Sequence, residues 1–153
     1  QARPTIIDLV NIGQRIFPVG RLDYNTSGLI ILTNDGEFSN FISHPSNNIG
    51  KKYYVVLSKP LERLHQEIIS EAPSIDNEKV YPFIFNWVSE DRKKIKIKLH
   101  EGKNRIIRRV FNIYGYKIEK LKRLEIGTLY LGELGYGKWR YISKIELRNL
   151  FPK

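Results

Sequence analysis

The run Pro18-Val19-Gly20-Arg21-Leu22-Asp23-Tyr24-Asn25-Thr26-Ser27-Gly28 is the stretch of this chain best suited to chemistry. It is a polar, glycine-punctuated loop that leads into an apolar run, Gly28 to Thr33, and such a loop can hold the Asp23 carboxylate near the end of a sheet. Two uses of that carboxylate are open. It can tie the turn by accepting hydrogen bonds from Thr26 or Ser27. Alternatively, a neighbouring guanidinium can lower its pKa and keep it ionised as a nucleophile or base.

Guanidinium groups are abundant elsewhere. Between residues 103 and 123 stand Lys103, Arg105, Arg108, Arg109, Lys117, Lys120, Lys122 and Arg123 against Glu119 alone, a net charge of +7. Arg105, Arg108 and Arg109 have i, i+3, i+4 spacing, which on a helix gives one basic face able to touch several phosphates of one strand. A charge run is commonly just a solvated face. Here the lack of neighbouring acids makes mutual repulsion costly, a cost that a bound polyanion offsets. Aromatic residues adjoin basic ones at Lys51-Lys52-Tyr53-Tyr54, Tyr116-Lys117 and Lys138-Trp139-Arg140-Tyr141, a composition suited to unstacked bases and phosphates.

Other chemistries find little support. The chain has no cysteine, which removes thiolate zinc sites, iron–sulfur clusters, disulfides and a cysteine nucleophile. His44, His65 and His100 lack metal-binding spacing. No GxxxxGK phosphate loop and no nucleophile elbow is present. A magnesium-dependent nuclease built on Asp23, Asp35 and Glu37 is weaker than the reading of Asp35 and Glu37 as helix-start residues.

The elements that must position these groups alternate in type, which predicts a single α+β domain with a mixed, mainly antiparallel sheet flanked by helices. Pro4 to Leu9 reads as a short helix with Ile6, Ile7 and Val10 on its apolar side. Residues 28 to 33 read as one strand buried on both faces, followed by a helix from Asn34 or Asp35 that carries Phe38, Phe41 and Ile42 inward. Tyr53 to Leu57 is a strand ended by Pro60, and 61 to 71 a helix with Leu61, Leu64 and Ile68 at helical spacing. Val80 to Val88 and Lys94 to Leu99 form a hairpin around Glu90-Asp91, with Ile95, Ile97 and Leu99 on one face. Asn104 to Tyr114 is a helix closed by Gly115, its buried stripe Ile107, Val110, Phe111 and Tyr114. Strands near 117 to 123 and 127 to 131 precede a glycine-rich turn at 132 to 137, and a last helix opens at Ser143, where Ser143 and Glu146 have capping-box spacing.

Size and composition set the frame. The 153 residues suffice for one domain with a core of its own, and a net charge of +10 with 41% hydrophobic residues describes a folded partner of a polyanion rather than a basic tail. No apolar run reaches the length of a membrane span. The opening Gln1-Ala2-Arg3-Pro4 has neither an initiator methionine nor a signal-peptide core, which reads as an excised fragment.

Three ordered stretches, GRLDYNTSGLIILTNDGEF (20–38), KKYYVVL (51–57) and EGKNRIIRRVFNIYGYKIEKLKRLEIGTLYLGEL (101–134), closely resemble the ribosomal RNA pseudouridine synthases, in the bacterial branch with an N-terminal accessory RNA-binding domain. The likeness runs from about residue 3 to about 148. It implies a pseudouridine synthase catalytic fold, an isomerase that turns a uridine of ribosomal RNA, here of the large subunit, into pseudouridine, and neither metal nor organic cofactor. It also implies roles. Asp23 resembles the catalytic carboxylate, Tyr53 the ring that stacks on the target uracil, and Arg108 the cation that pairs with the carboxylate. Arg21 resembles the motif arginine that holds the extruded nucleotide, while Lys51, Asn104, Arg105, Arg109 and Arg123 are expected on the RNA path, with Leu121 or Ile126 as an apolar wall against the base. Extrusion is a physical requirement, because carbon 5 and the glycosidic bond are not accessible in a stacked helix. Ile106 and Val110 stand where the family usually has Gln and Met, and the family's first Lys-Pro-x-Gly strand and accessory domain do not occur in these residues. A cytoplasmic monomer with ribosomal RNA as partner and no membrane contact is expected. The competing class is a non-catalytic RNA-binding module, which would need the basic face but not Asp23, Tyr53 and Arg108 together.

Overall fold

The computed structural model describes residues 10, 13–71, 74–75, 77–100 and 105–151. The helix expected at Pro4 to Leu9, and Lys103 and Asn104, lie outside them. Strands β1 (Phe17–Pro18), β2 (Ser27–Gly28), β3 (Leu32–Thr33), β4 (Lys51–Leu57), β5 (Ser74–Ile75), β6 (Glu78–Lys79), β7 (Ile84–Val88), β8 (Lys94–Leu99), β9 (Ile118–Ile126) and β10 (Leu129–Tyr130) alternate with helices. These are α1 (Gly36–Ser43), α2 (Arg63–Ser70), α3 (Ile106–Ile113) and α4 (Lys144–Leu150). The main sheet runs β10-β9-β4-β8-β7, all antiparallel, with β2 added parallel to β9. Its class is the mixed, mainly antiparallel α+β arrangement that the sequence predicts.

Locally encoded features form where expected. The Asp35 side chain accepts from the Glu37 and Phe38 amides and starts α1, so this carboxylate serves as a helix cap. Among the described residues no three His, Asp or Glu side chains gather to hold a metal. Ser143 and Glu146 close a reciprocal capping box at α4. Alternation in β8 buries Ile95, Ile97 and Leu99 completely or nearly so, and these pack with Val55, Leu57, Leu121, α2 and α3 in the larger of two core clusters. A second cluster joins Val19, Leu29, Ile31, Phe38, Ile42, Ile126, Leu129 and Leu150.

Elsewhere tertiary contacts override the local pattern. The apolar run 28–33 is not one strand: Ser27–Gly28 pairs with Lys122–Arg123, Leu29 and Ile31 drop into the second core cluster, and Leu32–Thr33 pairs with Phe17–Pro18. Gly28 permits this. Its φ is 110°, and a Cβ there would lie 2.2 Å from the Arg123 carbonyl oxygen, so only glycine lets the two backbones approach. The strands expected at 117–123 and 127–131 are a nine-residue β9 and a two-residue β10 around Gly127. In α2 Ile69 is buried and His65 half-buried, with Leu64 exposed, and Leu61 is buried just ahead of the helix. His65 turns inward because its Nδ1 lies 2.6 Å from the Tyr116 hydroxyl, which also accepts from the Glu62 amide. Tyr116 is therefore a buried core ring rather than a base-stacking one. No described helix is long and apolar enough to cross a membrane.

Candidate active site

Backbone contacts fix the Asp23 loop before any side chain is considered. Buried Val19 donates its amide to Ile31, and the Thr26 amide donates to the Asp23 carbonyl, closing a turn with Tyr24 at its exposed tip. β2 then anchors the far end on β9. The Leu29 amide donates to the Arg123 carbonyl at 2.9 Å and the Arg123 Nε donates to the Leu29 carbonyl at 2.8 Å, so backbone and side chain of one residue grip the segment leaving the loop.

The other wall is the start of α3. Arg105, its N-cap, has φ 53° and ψ 30°, a left-handed conformation that moves its side chain off the regular helix surface. Arg105 Nη1 lies 4.0 Å from Asp23 Oδ2, with the Asp23 side chain 23% exposed. Arg108, one turn further on, donates from Nη2 to the Asn25 carbonyl at 2.7 Å and so holds the turn of the same loop. The direct partner of the carboxylate is thus Arg105, whereas the sequence assigned that role to Arg108. Arg108 still shares its field: burial and the Arg105 charge lower the Arg108 pKa while the Asp23 charge raises it. With a guanidinium's intrinsic basicity it stays cationic.

Between these walls lies a cavity of about 300 Å³. Asp23, Tyr53, Arg105 and Arg108 line it together with Arg21, Lys51, Leu121, Arg123 and Ile126, so most of the sequence-predicted site converges. Tyr53 comes from β4, where it pairs with Arg123 of β9 and Ile97 of β8. Arg123 is only 4% exposed. Lys51 has its pKa lowered by burial first and by the Arg123 charge second, and the lining sets Arg21, Lys51, Arg105, Arg108 and Arg123 against the single acid Asp23. Three buried polar atoms of lining residues, Thr26 Oγ1, Arg108 Nε and Arg123 Nη2, have no hydrogen-bond partner. Leaving such groups unmade is expensive, and they are donors available to oxygen atoms of a ligand.

Arg109 sits apart from the other arginines. It pairs with Glu78 of β6 at 3.8 Å and does not line the cavity. The reason is angular: Arg105 is not helical, and 108 and 109 are one residue apart on the helix, hence about 100° apart in direction. Asn104 lies outside the described residues. Sequence reasoning missed Thr26, Leu22, Ile106 and Ile107 as lining residues; Thr26 and Leu22 sat in the motif that Asp23 marked, whereas only the fold brings α3's first apolar residues to the cavity.

The cavity can bind a planar, partly apolar group against Leu121, Ile126 and Tyr53, surround it with cations, and present the Asp23 carboxyl group to it. A known crystal structure of a pseudouridylate synthase superposes on this chain with a TM-score of 0.89 at 28% identity, covering 97% of this chain and 66% of that one. A ribosomal large subunit pseudouridine synthase B of Bacillus subtilis is 40% identical over 146 residues, 92% of this chain and 59% of the relative. An uncharacterized RNA pseudouridine synthase of Aquifex aeolicus is 38% identical over 152 residues, 97% of this chain and 61% of the relative. The chain thus spans about three fifths of the length of these curated relatives. The RNA pseudouridylate synthase family model matches residues 5–112, and this chain belongs to that family.

Proposed function

We propose that this chain carries the catalytic apparatus of a pseudouridine synthase acting on ribosomal RNA, that of the large subunit, in the cytoplasm. The observation that carries the reading is the convergence of Asp23, Tyr53 and Arg108 on one electropositive cavity. The large-subunit assignment draws on the name of the Bacillus subtilis relative.

The target uridine leaves the stack and enters the cavity, its base between Tyr53 and the apolar wall of Leu121 and Ile126. Asp23 attacks C1′ of the ribose or removes a ribose proton, and it is released again when C1′ bonds to C5, its bond to C1′ broken or the proton returned. The bond from C1′ to N1 breaks, the uracil turns, and a bond from C1′ to C5 forms. The C5 proton passes to solvent and N1 gains one, so atoms and charge balance without an oxidant. Arg105 faces the Asp23 carboxylate at 4.0 Å, and Arg108 holds the loop that presents it. Arg21, Lys51 and Arg123 face the phosphate and carbonyl oxygens of the nucleotide.

Incubating the chain with unmodified large-subunit and small-subunit ribosomal RNA, then mapping pseudouridine by carbodiimide-dependent stops of reverse transcription, tests the proposal. A new stop in the large-subunit RNA is expected. A stop confined to the small-subunit RNA would overturn the subunit assignment. No stop in either, with RNA still bound, would overturn the catalytic reading and leave a binding module.

A further inference from the structure

Strands β4, β8 and β9 have a second face. Helices α2 and α3 place their buried residues in the larger core cluster, and α1 and α4 in the second. Neither cluster includes the opposite-facing residues Lys52, Tyr54, Lys94, Lys96, Lys98, Lys120 or Lys122. Of these, Lys94 and Lys120 are exposed and Lys52, Tyr54, Lys96, Lys98 and Lys122 half-buried.

The pairing register arranges these residues in rows across the sheet. In the central row Trp87 stands opposite Lys96, Lys96 opposite Tyr54, and Tyr54 opposite Lys122. The Lys122 ammonium lies 5.7 Å from the Tyr136 ring centre, which extends the row to five alternating rings and cations. Lys96 lies 5.5 Å from the Trp87 ring, and Lys120 lies 5.8 Å from that of Tyr54. The flanking rows are Lys94, Val56 and Lys120 on one side and Lys98, Lys52 and Glu125 on the other. Six lysines thus line these rows with Glu125, which pairs with Lys52 at 3.6 Å, while Asp91 of the β7–β8 turn lies in the field of Lys94.

This arrangement costs stability in isolation. Lys52 stands directly opposite Lys98, and like charges in such positions repel. Trp87 is 44% and Tyr136 74% exposed, each leaving a ring open to solvent. A polyanion with planar groups resolves both costs at once: its phosphates neutralise the ammonium grid, with lysines about 6.7 Å apart along a strand, and its bases stack on the rings. An acidic protein fits less well, because lysine is depleted where proteins meet proteins.

We propose that this open face of β7, β8, β4 and β9 is a second RNA-binding surface, which holds a single-stranded segment flanking the nucleotide in the cavity. It rests on the ribosomal RNA reading for the identity of the RNA. The two sites share strands: Tyr53 and Arg123 point into the cavity, and their neighbours Tyr54 and Lys122 point to the open face.

The test uses 5′-labelled oligoadenylate, which lacks uridine and so offers nothing for the catalytic step. Trp87 and Trp139 are the two tryptophans of the chain, so Trp139→Phe leaves Trp87 as the reporter. Oligoadenylate should quench Trp87 emission. Replacing Lys94, Lys96 and Lys98 by Gln should lower the slope of log affinity against log salt by about 2, at about 0.7 per lost contact to a single strand. Lys120→Gln with Lys122→Gln, on another strand, should lower it by about 1.4 and guards against misfolding of the triple variant. An unchanged slope in both variants would overturn the proposal, as would equal quenching by polyglutamate, which would mark a face for acidic proteins. Asp23→Asn should leave oligoadenylate binding intact. Oligoadenylate binding without pseudouridine formation by the unsubstituted chain would refute the isomerase and spare the surface, whereas pseudouridine formation with unchanged slopes would refute the surface alone.

Discussion

Neighbouring residues of the same strands build two cationic surfaces that differ in kind. In the cavity the cations are individually placed: buried Arg123 grips Leu29, half-buried Arg108 grips Asn25, and the more exposed Arg105 faces Asp23. On the open face the six lysines are at least partly exposed; Lys96, Lys120 and Lys122 lie over rings, and Lys52 pairs with Glu125. Low polarity makes each charge in the cavity strong and intolerant of change, whereas water and salt weaken each lysine outside. The cavity should therefore fail through single substitutions and the open face only through sums.

The largest effect is expected at Asp23. Asp23→Asn keeps the shape of the loop but removes the nucleophile or base, and should lower turnover by about 10³-fold or more while filter binding of ribosomal RNA changes little. Next is Gly28→Ala. The added Cβ meets the Arg123 carbonyl oxygen at 2.2 Å in a backbone conformation unfavourable to L-residues, and the sum of overpacking and strain should cost about 3 kcal/mol, read as a lower urea midpoint.

That pair of residues also shows what the sequence could disclose. The Asp23 motif was legible because loop, glycines and carboxylate are contiguous. Asp35 capping α1, Ile95-Ile97-Leu99 alternating in β8 and the Ser143–Glu146 box were legible for the same reason: each depends on residues within a turn or strand. The break in the run 28–33 was not, because it depends on how closely β2 approaches β9, a contact between residues about 95 positions apart. Likewise the spacing of Arg105, Arg108 and Arg109 predicts one face only if all three are helical. The left-handed Arg105 sends itself to Asp23, and Arg109 goes to Glu78. The lysines of β8 were in plain view as the complement of Ile95, Ile97 and Leu99, but their alignment with Tyr54, Lys122 and Trp87 required the register.

A smaller effect separates binding from stability within the cavity. Folding lowers the Lys51 pKa, so the charged side chain opposes folding at pH values below its folded-state pKa, and that cost is relieved as pH rises through it. Lys51→Met should therefore raise the melting temperature at neutral pH, while weakening RNA binding by about 1.5 kcal/mol, roughly tenfold. A lowered melting temperature would show that the buried ammonium is stabilising instead. The smallest effect is expected far from both surfaces, at Ser143→Ala. It removes half of the capping box of α4 and should cost about 1 kcal/mol with no change in turnover or salt slope.

Tritium release from ribosomal RNA labelled at uracil carbon 5, with chelator present, compares the unsubstituted chain and Asp23→Asn most directly. The account predicts release by the former and none by the latter, at similar RNA affinity. Equal release by both would contradict the assignment of Asp23 as the carboxylate that starts the isomerisation.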